Sequence, residues 1–451
     1  MKKLGCVVLI LLTAFRFPLG AHGATIYEPT EPVNSDAALL YNLDTDTVIY
    51  SKNEAEPKYP ASLTKIMTCI LALENTQNLD TEMVTYPTYV QDELYRYQVA
   101  NGSVSLGGLV AGEELTMRQA LYAIMLSSAN EASMSIADHI GGSQEGFVRM
   151  MNQRAKELGA KNTNFVNPNG LFDEKHVTTA YDMAQITLHA IELPGFMDIV
   201  STATYESGPT NVHENLTWST TNYLMIEGNS YYNSNVQGVK TGSLPESGRC
   251  FISTATKSGY RYLLVLMDAP YYDEDGNAMN ANLAFTDANN IYKWVFETFV
   301  VQTVKDQGEH VGEIEVRFNL EQDKVLLVTA ERFSALVPRQ VTKNDVVVKP
   351  LIPEYIDAPV TKGQHVGEGI LMLAGEEIGR VDLLAYENVS VSNTLVFLDK
   401  AKGILQAIAG NFLFKFLIIF LVLLILFYIF VMIQRNKNRK RKGGYRPRRR
   451  I

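Results

Sequence analysis

Cysteine is scarce in this chain: three residues in 451, at positions 6, 69 and 250, too few for a disulfide framework, so an apolar core has to hold the fold. The seven histidines are scattered and none has H-E-x-x-H or other ligand spacing, which argues against metal catalysis, and no cofactor is expected. Cations are sparse in the body. The formal charge is −9, yet residues 435–451 carry ten Lys or Arg and no acid, and residues 1–23 add Lys2, Lys3 and Arg16. The stretch between is therefore strongly acidic, which excludes nucleic acid as its main partner, because phosphate binding needs clustered cations on the folded surface. Internal repeats are lacking, and the basic tail is the only low-complexity stretch. At 46% hydrophobic and 20% charged residues, disordered, collagenous and coiled-coil classes are excluded.

Long apolar runs occur only at the ends. Lys2-Lys3, an apolar run over 6–14 and small residues at 21–24 have the grammar of a secretory signal peptide, with cleavage near Gly23. Arg16 and Pro18 make the run too short to span a bilayer, and Cys6 precedes most of it, so it reads as filler rather than a lipidation site. At the other end Phe416 to Ile433 carries no charge, and residues 412–414 extend the stretch past Lys415, which can snorkel. Residues 412–433 are expected to cross the membrane, with 434–451 as a basic cytoplasmic tail by the positive-inside rule. The body then lies outside the cytoplasmic membrane on a single C-terminal span.

Between the ends two textures alternate. Residues 24–303 mix a hairpin (37–42 and 47–51), amphipathic helices (62–74, 117–140, 144–158, 181–191), strands (237–240, 250–257, 260–268) and a closing helix (283–300), which predicts an α+β domain with an antiparallel sheet. Residues 304–390 carry short alternating runs at 312–318, 324–329, 345–349, 369–373 and 378–385, a small all-β domain. Residues 391–411 read as an amphipathic linker able to lie on a membrane surface.

Three short motifs carry chemistry. Ser62-Leu63-Thr64-Lys65 places a hydroxyl and an amine on one helical face, so Lys65 can receive the Ser62 proton if burial or another cation keeps it neutral. A helix start at Ser62 also aims backbone N–H groups at a developing oxyanion. Alone the motif is weak; a chain this long yields roughly one or two by chance. Ser128-Ala129-Asn130 supplies a second hydroxyl and an amide, or simply a polar helix face. Lys240-Thr241-Gly242 sets a cation and a hydroxyl beside a glycine on a strand, where an anion and a substrate backbone can approach.

The order S-x-x-K, S-x-N 66 residues later and K-T-G 112 further on is the set used by penicillin-binding proteins and β-lactamases. With the phrases around these motifs, and with Asn167-Pro168-Asn169-Gly170-Leu171 and Ala358-Pro359-Val360, the chain resembles the D-alanyl-D-alanine carboxypeptidases, low-molecular-weight penicillin-binding proteins of the serine peptidase S11 type, over about 350 residues. The resemblance implies a β-lactamase/penicillin-binding-protein-like catalytic domain followed by the family's β-domain. It implies Ser62 as the acylated nucleophile, Lys65 as proton acceptor, Ser128 as proton relay and Asn130 beside it. Lys240 and Thr241 would recognise the terminal carboxylate, Lys240 would help keep Lys65 neutral, Gly242 lies in the same strand, and the N–H groups of Ser62 and Ser243 would form the oxyanion hole. Implied partners are peptidoglycan stem peptides ending in D-Ala-D-Ala, β-lactams as covalent inhibitors and the cytoplasmic membrane.

The chain departs from the family in two places. Asn169 stands where a His is frequent, and no Arg lies upstream of the K-T-G strand near Thr221 and Asn222; Arg249 is a candidate replacement. Cys69 and Cys250 read as buried thiols, and Asp173, Glu174 and Asp182 as surface charge. Three rival readings are a β-lactamase of the same fold, which needs a deacylating base, a catalytically idle wall-binding protein, and a transpeptidase, which passes the acyl group to an amine instead of water.

Overall fold

The computed structural model describes residues 27–102 and 104–442, so the signal peptide expected over 1–23 and the last nine residues lie outside the described part. Two compact units divide at Val300/Val301.

The first unit opens with the hairpin β1 (Ala37–Asn42) and β2 (Thr47–Lys52). Its turn is built by Asn42, whose Oδ1 accepts from the N–H groups of Asp44 and Thr45 and from the Thr45 hydroxyl. A 3₁₀ turn, Ala61–Thr64, runs into α1 (Lys65–Asn75), which is buried from Lys65 to Ala72 and so reads as apolar almost all round. Then come β3 (Met83–Thr85), α2 (Thr88–Asn101), β4 (Glu114–Thr116), α3 (Met117–Met125), α4 (Asn130–Gly141) and α5 (Gln144–Glu157). A capping box between Thr116 and Gln119 starts α3, and Ser143 caps α5. α6 (Ala180–Glu192), capped by Thr179, and the short α7 (Phe196–Val200) follow, then β5 (Thr204–Glu206) and β6 (Thr217–Ser219). The unit closes with β7 (Val236–Leu244), β8 (Gly248–Lys257), β9 (Tyr260–Ala269) and α8 (Leu283–Thr298).

The five-stranded antiparallel sheet has the order β2-β1-β9-β8-β7. β1 is buried along its whole length because it is flanked on both sides, whereas β7, which carries the K-T-G motif, is an edge strand. One core joins the sheet to the helices through Leu39, Leu63, Ile66, Ile70, Ile124, Ile136, Met183, Ile252 and Val265, all at most 2% exposed. Fully burying an aliphatic side chain of this size contributes about 1.5–3 kcal/mol.

Two expectations need correction here. The single helix expected over 117–140 is broken. The Ser127 hydroxyl bonds back to the Ala123 carbonyl, Ala129 N–H also reaches Ala123 O, and Ser128 takes a left-handed φ of +62°. The S-x-N motif is thus a turn between two helices. The closing helix stops at Thr298, where the β-branched run from Phe299 starts a strand.

In the second unit β10 (Phe299–Lys305), β11 (His310–Arg317), β12 (Lys324–Thr329), β13 (Phe333–Pro338), β14 (Val346–Leu351), β15 (Tyr355–Asp357), β16 (His365–Leu373) and β17 (Glu376–Ala385) form an all-β domain. Its main sheet runs β14-β16-β17-β12-β11-β15, and β10 pairs with β13. Alternate residues face a core of Val316, Val325, Leu327, Val337, Leu371 and Leu383. The linker expected over 391–411 is the helix α9 (Asn393–Gly410), with Phe397, Leu398, Ile404, Leu405 and Ile408 exposed. α10 (Phe412–Lys442) exposes its apolar side chains throughout and, among the described residues, is the one helix long and apolar enough to cross a membrane.

Candidate active site

Ser62 sits in the 3₁₀ turn at the head of α1, half-buried, and Lys65 one turn on is completely buried. The Lys65 amine meets three oxygens: Ser62 Oγ at 3.2 Å, Asn130 Oδ1 at 2.8 Å and the Asn169 carbonyl at 2.6 Å. Two of these can only accept. A neutral amine has two N–H groups and one lone pair. Given to Asn130 and Asn169, the two N–H groups leave the lone pair for the Ser62 hydroxyl, which then donates to Lys65. Burial holds the Lys65 amine well below the usual lysine range, the positive charge of Lys240 pushes the same way, and Glu131 pulls weakly against them.

Asn130 reaches this site as the first residue of α4, and its own N–H is held by the Ser105 carbonyl. Ser128 is the left-handed residue of the turn that leads into α4. Its Oγ is buried without a hydrogen-bond partner, so among the S-x-N side chains it is Asn130 that touches the Lys65 amine.

Lys240 is 1% exposed on β7, and among the described residues its amine bonds the Thr241 carbonyl alone, at 3.1 Å. Burial pushes its pKa down to about 7. Thr241 Oγ1 lies 2.5 Å from Thr221 Oγ1, so at this position a hydroxyl, not a guanidinium, stands beside the K-T-G strand. Arg249 donates to the Met279 carbonyl and stacks over Tyr271, 5.2 Å from the ring centre. It lies across the ladder from Ser243, which is exposed. Gly242 has a role beyond admitting a ligand. A Cβ there would lie 3.0 Å from the Pro60 carbonyl and 3.2 Å from Ala61 Cβ, so glycine lets β7 close against the turn that carries Ser62.

The 167–171 loop proves part of the site. The Pro168 carbonyl accepts from Thr68 Oγ1 at 2.6 Å and from Ser133 Oγ at 2.7 Å, which bolts the loop to α1 and α4. Asn169 meets Lys65 through its backbone, while its side chain only accepts from Leu171 N–H. The contact thus leaves residue 169 free to differ from histidine. Backbone contacts carry no residue-specific signal, and the motif phrase alone pointed here. Two further residues were missed. Glu131, adjacent to Asn130, is 1% exposed, and one oxygen accepts from Gly107 and Leu109 N–H while Oε2 has no partner. His176 is buried against Thr64.

Asp182 departs from the surface-charge expectation, since it is buried and accepts from Asn162 N–H and Thr163 Oγ1. Cys69 and Cys250 are both buried free thiols, as expected.

Comparison with known proteins agrees with this geometry. Residues 24–271 match the family model for D-alanyl-D-alanine carboxypeptidase, and residues 299–391 match the C-terminal domain of penicillin-binding protein 5. The chain is 30% identical over 410 residues to the D-alanyl-D-alanine carboxypeptidase DacF of Bacillus subtilis, covering 89% of this chain and 98% of that protein. It is 28% identical to DacC of Escherichia coli, covering 79% and 84% respectively. Penicillin-binding protein 5 of Haemophilus influenzae, at 24% identity and a TM-score of 0.59 over 81% of this chain and all of that one, shares the fold. A serine hydroxyl against a buried amine, an edge strand bearing a second buried lysine and a match across more than half of the sequence converge on one assignment: the chain belongs to the D-alanyl-D-alanine carboxypeptidase family of serine peptidases.

Proposed function

We propose that this serine D-Ala-D-Ala carboxypeptidase works through an acyl-enzyme on Ser62, with Lys65 as the base. The carrying observation is the Lys65 amine, whose two carbonyl neighbours at 2.8 and 2.6 Å use its N–H groups and turn the lone pair to Ser62. As Ser62 Oγ attacks the penultimate D-alanine carbonyl carbon, its proton passes to Lys65. The oxyanion is held by the N–H groups of Ser62 and Ser243. Collapse breaks the peptide bond, and the proton returns to the leaving D-alanine nitrogen, with Ser128 as relay. Water then attacks the ester as Lys65 again takes a proton, and collapse breaks the bond to Ser62 Oγ, which regains that proton from Lys65 and leaves the amine neutral. Lys240, with the hydroxyl of Thr241, binds the terminal carboxylate in a groove lined by β7 and Gly242, and its charge favours the neutral form of Lys65.

The natural substrates in this reading are peptidoglycan stem peptides ending in D-Ala-D-Ala, and trimming them limits the donors for cross-linking. A β-lactam acylates the same serine, but its leaving group stays tethered. Residues 24–303 then form the catalytic domain and 304–390 the β-domain. α10 anchors both, with residues 412–433 in the bilayer and the cations from Arg435 onward on the cytoplasmic side, while α9 lies along the outer surface. The test is D-alanine release from a D-Ala-D-Ala peptide by the full chain in detergent, with intact-mass detection of a penicillin adduct. Release and adduct should both vanish in Ser62→Ala, and a wild-type chain that forms neither contradicts the proposal.

A further inference from the structure

Ala61, the residue before the nucleophile, is not glycine and yet has a φ of +46°, a left-handed conformation that persists only where its surroundings over-determine it. A chain of three side-chain hydrogen bonds leads to its carbonyl. Val166 N–H donates to His176 Nδ1 at 3.1 Å, so in a neutral ring the proton sits on Nε2. Nε2 lies 2.8 Å from Thr64 Oγ1 and donates to it. With its acceptor side engaged, the Thr64 hydroxyl gives its single proton to Ala61 O, at 2.8 Å. The relay has one polarity throughout.

Burial favours that neutral ring, pushing His176 down to about 4. His176 and Thr64 are 2% and 0% exposed, and the ring packs edge-on against Phe165. The carbonyl they fix belongs to the peptide bond that joins Ala61 to Ser62. None of the three hydrogen bonds involves Ser62 or Lys65.

We propose that His176 and Thr64 are positioning residues of acylation: by fixing the Ala61 carbonyl they hold the turn that sets Ser62 Oγ against the Lys65 amine. The proposal rests on Ser62 being the nucleophile. His176 acts only through Thr64, and Thr64 acts through its hydroxyl rather than its bulk.

The test is the rate of covalent labelling by a fluorescent penicillin in the full chain in detergent, resolved into the non-covalent dissociation constant and the first-order acylation step, with end-point stoichiometry as the measure of folded protein. Thr64→Val, which keeps the shape and removes the hydroxyl, should slow the acylation step about tenfold to a hundredfold with the dissociation constant unchanged. Thr64→Ser should restore it. His176→Gln, whose amide can donate from the Nε2 position, should retain more activity than His176→Leu. The double variant Thr64→Val/His176→Leu should be no slower than Thr64→Val alone. Wild-type acylation in Thr64→Val, or losses that multiply in the double variant, would overturn the proposal. If His176→Leu does not fold, the Thr64 pair decides by itself. A wild-type chain that never labels sinks the nucleophile assignment instead, which separates the two failures.

Discussion

Replacing Gly170 by alanine should slow acylation of Ser62 while leaving the catalytic unit folded. Gly170 has a φ of +82°, which in an L-residue costs about 1–2 kcal/mol. Its added Cβ would lie 1.9 Å from the Ala61 carbonyl oxygen, 2.4 Å from the Ala61 carbonyl carbon and 2.9 Å from Thr64 Oγ1, where real contacts essentially never fall below 3.0 Å. Relief requires an opening of about 1 Å against backbone, not against a flexible side chain. The loop side resists, because Pro168 O is held by Thr68 and Ser133 and Asn169 O by Lys65. Either the Ala61 turn yields and carries Ser62 away from Lys65, or the loop yields and draws the Asn169 carbonyl off the amine. A misplacement of about 1 Å at reacting groups costs on the order of a hundredfold in rate. The assay is stopped-flow acylation by a fluorescent penicillin beside a thermal melt, with about 1–2 kcal/mol of backbone strain and about 1–3 kcal/mol of overpacking together expected to lower Tm by roughly 5–15 °C. A folded Gly170→Ala chain that acylates at the wild-type rate would refute the reasoning.

Other consequences are as specific. Lys65→Arg replaces a neutral amine by a permanently charged guanidinium with no lone pair to accept a proton, and should lose about 10²–10⁴-fold in acylation, read as the rate of penicillin adduct formation by mass spectrometry. The acid limb of acylation reports the Lys65 pKa, since the amine works only when neutral. The positive charge of Lys240 lowers that pKa, so Lys240→Met should move the limb to higher pH; the negative charge of Glu131 raises it, so Glu131→Gln should move the limb to lower pH. Shifts in the same direction would contradict this electrostatic account. Burial pushes both the Cys69 and Cys250 thiols up and each is at most 2% exposed, so native protein should resist iodoacetamide without loss of activity, and both should react after unfolding.

How much of this was legible in the sequence depended on whether a side chain or the backbone made the contact. Ser62, Lys65, Asn130 and Lys240 are side-chain devices at fixed spacing, and the fold brings Ser62, Lys65 and Asn130 into direct contact. The Asn169 carbonyl could be any residue's, so only the surrounding phrase pointed to it. The helix break at Ser128 was hidden because an apolar period continues through residues 121–136 with no proline or glycine at the break; a hydroxyl bonding back to Ala123 and one left-handed residue make it. α2 escaped detection because its buried side is only Val90 and Leu94, too narrow a stripe to register as a period. His176 looked isolated because its partner Thr64 is 112 residues away, a pairing that only the folded chain creates.

The central claim is that the amine beside Ser62 is uncharged in the resting enzyme. Its most direct test is the ¹³Cε resonance of Lys65 in lysine-labelled full chain in detergent, assigned by its disappearance in Lys65→Met and followed with pH. The account predicts a resonance whose titration is displaced well below the usual lysine range, so that the neutral-amine position is already reached by pH 9. A Lys65 resonance that stays at the ammonium position up to pH 9 would contradict it.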